Sequence, residues 1–82
     1  MSAIYKLPLV FDPQPEGGYT VTCPILPELI TEGDTVTEAM TNASDALSAI
    51  IEAYEDLGRP LPQALKRMTE DEPISVETLV PV

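Results

Sequence analysis

Residues 16–40 constrain the fold most, because each change of backbone direction in this stretch is marked by a residue with a stereochemical reason to be there. Gly17 and Gly18 indicate a turn, since glycine adopts the positive φ angles that tight turns require. Pro24 and Pro27 bracket a segment that cannot remain helical. The stretch therefore predicts a turn, a strand over residues 18–23, a proline-braced loop, a short strand over residues 29–31 and a turn at Gly33.

A long helix is predicted to follow. The hydroxyl of Thr35 can accept a hydrogen bond at the helix start, and Glu38 completes a capping box. Gly58 and Pro60 are typical of the residues just beyond a helix end. We therefore expect a helix over residues 35–57, with an apolar stripe that faces the core. The stripe consists of Val36, Ala39, Met40, Ala43, Ala46, Leu47, Ile50, Ile51, Tyr54 and Leu57.

Alternating apolar and polar residues predict strands on both sides of this central part. Residues 3–11 form the first such segment, where Pro8 indicates an edge or a bulge because proline lacks an amide donor. Residues 62–68 suggest one or two helical turns, and residues 74–80 a last strand. The predicted order is β-β-β-α-β in a single domain, residues 1–82. The fold class is α+β, with one long helix packed on a three- to four-stranded, mostly antiparallel sheet.

The charge balance limits the partners that this chain can bind. Fourteen acidic residues face four basic ones, for a net charge of −10. Such a chain repels phosphate, so we expect no direct nucleic-acid binding by this chain alone. The single cysteine, Cys23, lies in a strand pattern and predicts a buried free thiol. The sequence shows no secretory signal and no apolar run of membrane length, so we expect a cytoplasmic protein with no membrane partner.

Several short motifs together resemble the HicB-like antitoxin family, most strongly over residues 4–62. They are Gly17-Gly18-Tyr19, Pro24-x-x-Pro27, Thr31-x-Gly33-Asp34-Thr35, Glu38-Ala39 and Gly58-Arg59-Pro60-Leu61-Pro62. The resemblance implies a truncated ribonuclease-H-like fold that does not cleave RNA. It also implies that the chain binds and inhibits a HicA-type toxin, a small basic protein that cleaves RNA. Many members carry a C-terminal DNA-binding domain, whereas this chain resembles a short form without one.

The residues offer no basis for an enzyme. A ribonuclease-H-like nuclease needs several carboxylates that converge on two metal ions. The first predicted strand has no acid before Asp12, and the last has only Glu77. Histidine is absent, which excludes Ser-His and Cys-His dyads. We therefore expect no catalytic, metal-binding or cofactor-binding residues.

Acidic residues at the ends of the predicted strands are the candidates for partner binding: Asp12, Glu16, Glu28, Glu32 and Asp34. They are either ordinary solvated loop charges or a rim that attracts a basic toxin. Because the core is small and sheet edges are exposed, we also expect a homodimer or a homotetramer. The alternative function is a stand-alone oligomeric regulatory or scaffold domain with no toxin partner.

Overall fold

The computed structural model describes residues 4–69, 71–73, 75, 77 and 82, and it confirms an α+β fold with one long helix. Strands β2, β3 and β4 form an antiparallel sheet in that order, and β1 pairs with β5 as an antiparallel ribbon. Most of the strand predicted over residues 74–80 lies outside the described residues. The elements are β1 (Tyr5–Lys6), β2 (Val10–Pro13), β3 (Tyr19–Thr22), β4 (Ile30–Gly33), α1 (Val36–Asp56) and β5 (Lys66–Arg67).

A glycine turn joins β2 to β3, as the sequence predicts. The Gln14 amide donates to the Gly18 carbonyl at 3.0 Å, and the Gly17 amide donates to the Gln14 carbonyl at 2.9 Å. Gly17 and Gly18 have φ angles of 104° and 79°, which side chains with a Cβ rarely adopt. The strands then pair from Val10 opposite Thr22 to Pro13 opposite Tyr19.

The segment predicted as one strand over residues 3–11 is divided at Pro8. The residues before it form β1 and pair with β5, whereas those after it form β2 and pair with β3. The predicted alternation persists through the interruption, because Tyr5, Leu7, Leu9 and Phe11 are half-buried and the residues between them are exposed. Proline cannot donate to a strand ladder, which accounts for a change of strand partner at this point.

Helix α1 begins and ends within one residue of the predicted bounds. The Thr35 hydroxyl accepts from the Glu38 amide at 3.1 Å. At the other end the Gly58 amide donates to the Glu55 carbonyl at 3.0 Å, and the Arg59 amide donates to the Tyr54 carbonyl at 2.9 Å. This pair of bonds, with a φ of 65° at Gly58, is a Schellman motif.

The core lies between the first half of α1 and the three-stranded sheet. Two successive turns in the proline-braced loop insert Leu26 and Leu29, which are 0% and 1% exposed. Cys23 is buried as a free thiol, as predicted. A Cβ at Gly33 would lie 2.4 Å from the Ala39 amide nitrogen, so the helix backbone almost touches β4. The buried cluster consists of Val21, Cys23, Leu26, Leu29, Ala39 and Ala43.

The expectation that the whole apolar stripe of α1 faces the core is wrong. Only Ala39 and Ala43 are buried, whereas Met40 is 48% and Leu57 69% exposed. The reason is size. A helix of 21 residues spans about 31 Å, whereas strands of four residues span about 13 Å. Leu47 and Ile50 still pack against the core cluster, and the last turns of α1 extend beyond the strands.

Residues 62–68 also differ from the expected helical turns. One turn forms, in which the Leu65 amide donates to the Pro62 carbonyl at 3.0 Å, and the chain then extends as β5. Tyr5 pairs with Arg67, and the Met68 amide donates to the Ile4 carbonyl at 2.7 Å. Backbone groups on β1 pair with this segment, so a non-local partner decides its conformation rather than local preference.

Candidate partner-binding surface

Asp12 and Glu32 lie in one row across the sheet. Asp12 pairs with Thr20, and Thr20 pairs with Glu32. Since adjacent strands lie about 4.8 Å apart, the Cα atoms of the two acids are about 10 Å apart. Side chains alternate between the faces of a sheet, and the neighbouring Val21 is buried on the helix side. Both carboxylates are therefore exposed on the opposite, open face of the sheet.

Glu16 and Asp34 lie at the same end of the sheet. Glu16 is in the turn between β2 and β3, and Asp34 directly follows β4. A Cβ on Gly18 would be 3.7 Å from the Asp34 Oδ1 atom, which places that carboxylate beside the glycine turn. We call these four exposed acids the hairpin-end acids: Asp12, Glu16, Glu32 and Asp34.

No basic residue balances the hairpin-end acids within their own part of the chain. The four lysines and arginines are at positions 6, 59, 66 and 67, outside strands β2 to β4 and the loops that join them. Exposed charges of one sign produce a potential that attracts an oppositely charged partner from solution. This end of the sheet can therefore attract a cationic surface.

Glu28, the fifth acid proposed from sequence, is separated from the other four. It precedes β4, at the end of the sheet opposite the hairpin, and its carboxylate accepts a hydrogen bond from the Tyr54 hydroxyl near the end of α1. That hydrogen bond is the main cause of a lowered pKa for Glu28 and of a raised pKa for Tyr54. The Arg59 guanidinium lies 5.8 Å from the centre of the Tyr54 ring. Glu28 thus connects the proline-braced loop to the helix.

An open groove of about 780 Å³ lies between one side of α1, from Met40 to Glu55, and the segment around β1. Its walls are mainly apolar, and sequence analysis did not identify it. The available signal was the length of the helix predicted over residues 35–57 relative to the strands predicted over residues 18–23 and 29–31. We call this feature the helix groove; its apolar residues include Ile4, Leu7, Leu9, Met40, Leu47 and Ile51.

The family described as HicB_like antitoxin of bacterial toxin-antitoxin system has a model that matches residues 5–82. The chain belongs to the HicB-like antitoxin family. The matched residues include the strands and the helix that carry the hairpin-end acids and line the helix groove. It confirms the resemblance that the glycine and proline motifs indicated.

Several similar proteins carry the antitoxin name. Antitoxin HicB 1 of Photorhabdus laumondii is 42% identical over 77 residues, which cover 92% of this chain and 50% of that protein. Antitoxin HicB of Escherichia coli (strain K12) is 42% identical over 62 residues, which cover 73% of this chain and 45% of that protein. The chain thus spans about half the length of these curated relatives. A UPF0150 protein of Synechocystis is 34% identical over 59 residues, with 71% of this chain and 82% of that protein covered.

The described part of this HicB-like chain contains no group of three or more His, Cys, Asp and Glu side chains placed to hold a metal ion. The hairpin-end acids project from separate strands and loops and do not converge. Within the same residues, no helix is both long enough and apolar enough to cross a membrane. What the described surface does offer is a concentration of negative charge and an apolar groove, which are features of protein recognition.

Proposed function

We propose that this chain is a cytoplasmic antitoxin that binds and inhibits a small, basic, RNA-cleaving toxin of the HicA type. The observation that carries the proposal is the unbalanced negative charge of the hairpin-end acids in a member of an antitoxin family. The chain acts as an inhibitor and not as an enzyme, and it requires no cofactor. It does not bind nucleic acid by itself, because a net charge of −10 opposes contact with phosphate.

The proposed mechanism is competition for a positive surface. A protein that cleaves RNA must hold phosphate groups with lysine and arginine side chains. The carboxylates of the hairpin-end acids can pair with those lysine and arginine side chains in place of phosphate. Exposed charge pairs chiefly increase the association rate, so we expect association to slow as salt screens the charges. Apolar contacts elsewhere then prolong the lifetime of the complex.

Co-expression tests the proposal. The basic reading frame adjacent to the gene, if it inhibits growth, should be neutralised by this chain, and the two proteins should purify together. A toxic neighbour that this chain neither neutralises nor binds would overturn the proposal.

Charge reversal tests the role of the hairpin-end acids. The double variant Asp12→Lys/Glu32→Lys should lower the association rate about tenfold at low salt, since steering by charge changes on-rates by 10-fold or more. The matched control is Asp45→Lys/Asp71→Lys, which changes net charge equally at exposed positions outside the hairpin end. Equal slowing by both pairs would show that only total charge matters. Stopped-flow measurements over a salt series separate the two results.

The alternative function is a stand-alone oligomeric regulatory or scaffold domain. The observation that favours it is exposed apolar surface on both outer strands of the sheet, with Ile30 67% and Val10 41% exposed. Outer strands of this kind are surfaces for self-association. We propose a homodimer or a homotetramer under either function. Sedimentation that shows only a monomer of 8.9 kDa at high micromolar concentration would refute self-association.

A further inference from the structure

We propose that the helix groove is a docking site for a basic amphipathic segment of a partner protein. Apolar side chains of that segment enter the groove, and its lysines or arginines lie over Glu52 and Glu55 on the groove wall. If the proposed function is correct, the toxin supplies this segment, and in that respect the inference rests on that function. The surface is separate from the hairpin-end acids.

The apolar lining of the groove includes both half-buried and exposed side chains. Leu7, Leu9 and Leu47 are half-buried and pack against the core. Ile4 and Met40, which also line the groove, are 52% and 48% exposed. Apolar side chains that remain exposed beside a concave surface are typical of a binding site. A volume of about 780 Å³ is enough to receive several side chains.

The charge of the groove wall favours a cationic occupant. Glu52 and Glu55 line the groove near the C-terminal end of α1, and Asp56 ends the helix. This is the negative end of the helix dipole, where cations are favourable and anions are not. The last turn contains no basic residue of its own. Lysines or arginines of a partner would supply the missing positive charge.

Two arginines lie in this region, and neither removes the imbalance. Arg59 lies over the Tyr54 ring, where it contributes to the lowered pKa of Glu28. Arg67 lines the groove from β5, and among the described side chains that line the groove it is the one cation, beside the two carboxylates of Glu52 and Glu55. A basic segment with an apolar face therefore complements both the apolar lining and the negative charge of the groove. Amphipathic helices bind hydrophobic grooves in this way.

The same charges disfavour a second copy of this chain as the occupant. Two such grooves brought face to face would place Glu52, Glu55 and Asp56 of each copy against the same residues of the other. Like charges that face each other across an interface disfavour that pairing. The self-association expected from the outer strands of the sheet uses a different surface.

Fluorescence anisotropy with a labelled synthetic peptide tests the inference directly. The probe is an amphipathic Leu/Lys peptide of about four helical turns, which presents apolar anchors at i, i+3, i+4 and i+7. A Ser/Lys peptide of equal charge and a Leu/Glu peptide of equal apolarity serve as controls. We expect the Leu/Lys peptide to bind at least about tenfold more tightly than either control, which corresponds to about 1.4 kcal/mol. Equal binding of the Leu/Lys and Ser/Lys peptides would overturn the inference.

Variants then locate the binding surface. Ile4→Ser/Met40→Ser removes apolar groups of the groove lining that are already about half exposed, and Glu52→Gln/Glu55→Gln removes the wall charges without changing side-chain size. Each pair should weaken binding of the Leu/Lys peptide about tenfold. The control Asp45→Asn/Asp71→Asn removes the same charge outside the groove and should change binding less than twofold. Circular dichroism melts verify that every variant is folded, and wild-type affinity in both groove variants would overturn the inference.

The same variants separate this inference from the proposed function. If the toxin purifies with the wild-type chain and with both groove variants equally well, the docking site is wrong and the antitoxin function stands. If the Leu/Lys peptide occupies the groove but the neighbouring basic protein does not bind, the docking site stands and the antitoxin function fails.

Discussion

The two halves of α1 differ in how completely they are packed against the rest of the molecule. In the first half, Ala39 and Ala43 are buried against the sheet, and Gly33 lets the helix backbone approach β4 closely. In the second half, Ile50 and Ile51 are only half-buried, and exposed acids occupy the last turns. One helix thus combines a part that is closely packed with a part that is only partly covered. Regular secondary structure by itself does not show which part of a helix belongs to the core.

Side-chain truncation should give the largest difference between the packed and open regions. Leu26 is 0% exposed within the core cluster, so Leu26→Ala should lower the free energy of unfolding by about 2–5 kcal/mol. Leu57, at the open end of α1, is 69% exposed, so Leu57→Ala should cost less than about 0.5 kcal/mol. Urea unfolding of the two variants measures the contrast. Similar losses would mean that the end of the helix is covered in solution.

Addition of a methyl group at the contact between α1 and β4 should have the next largest effect. The Cβ of Gly33→Ala would lie 2.4 Å from the Ala39 backbone nitrogen, and backbone cannot yield as a flexible side chain can. We expect a loss of about 1–3 kcal/mol from overpacking. Gly58→Ala is the control at the open end, because its Cβ meets nothing within 4 Å. Its φ of 65° should limit the cost to about 1 kcal/mol.

Charge reversal at the open end should stabilise the free chain. Glu55→Lys places a cation at the negative end of the helix dipole and should raise the free energy of unfolding by about 0.3–1 kcal/mol at low salt. The same variant should weaken binding of the Leu/Lys peptide if the groove wall acts as we propose. Thermal unfolding and peptide titration on one sample measure both changes. A variant that is less stable than the wild type would show that Glu55 supports the fold.

The smallest effect should come from the hydrogen bond between Tyr54 and Glu28. The lowered pKa of Glu28 means that this bond stabilises the fold above the ordinary carboxyl pKa of 4.5 and less as pH falls through the folded-state pKa. The raised pKa of Tyr54 means that its contribution is complete below the ordinary tyrosine pKa of 10.0 and is lost as pH rises through the folded-state pKa.

Tyr54→Phe should therefore lower the urea midpoint slightly near pH 7 and match the wild type more closely at pH 3. Thr41→Val serves as a control, because the Thr41 hydroxyl donates to the Thr37 carbonyl within the helix and neither group titrates in this range. A difference between Tyr54→Phe and the wild type that stays constant from pH 7 to pH 3 would show that Glu28 does not respond to the hydrogen bond.

The candidate binding surface could be predicted from the sequence only in part. All five acids named from sequence are exposed, and four lie at one end of the sheet, although Asp12 and Glu32 are in strands β2 and β4 rather than in loops. The engagement of Glu28 by Tyr54 could not be predicted, since 26 positions separate the two residues. The helix groove was missed for a similar reason. It depends on how far a helix extends beyond strands whose pairing is not local.

Local stereochemistry determined the features that the sequence predicted correctly. The positive φ angles at Gly17 and Gly18, the Thr35 cap and the helix end at Gly58 depend on neighbouring backbone atoms, so residue type alone is enough to indicate them. Only the tertiary structure decided the division of the first strand at Pro8, the strand at Lys66–Arg67 and the exposure of Met40 and Leu57 in the helix stripe. These features depend on which segments meet in space, and the short sheet is covered before the helix ends.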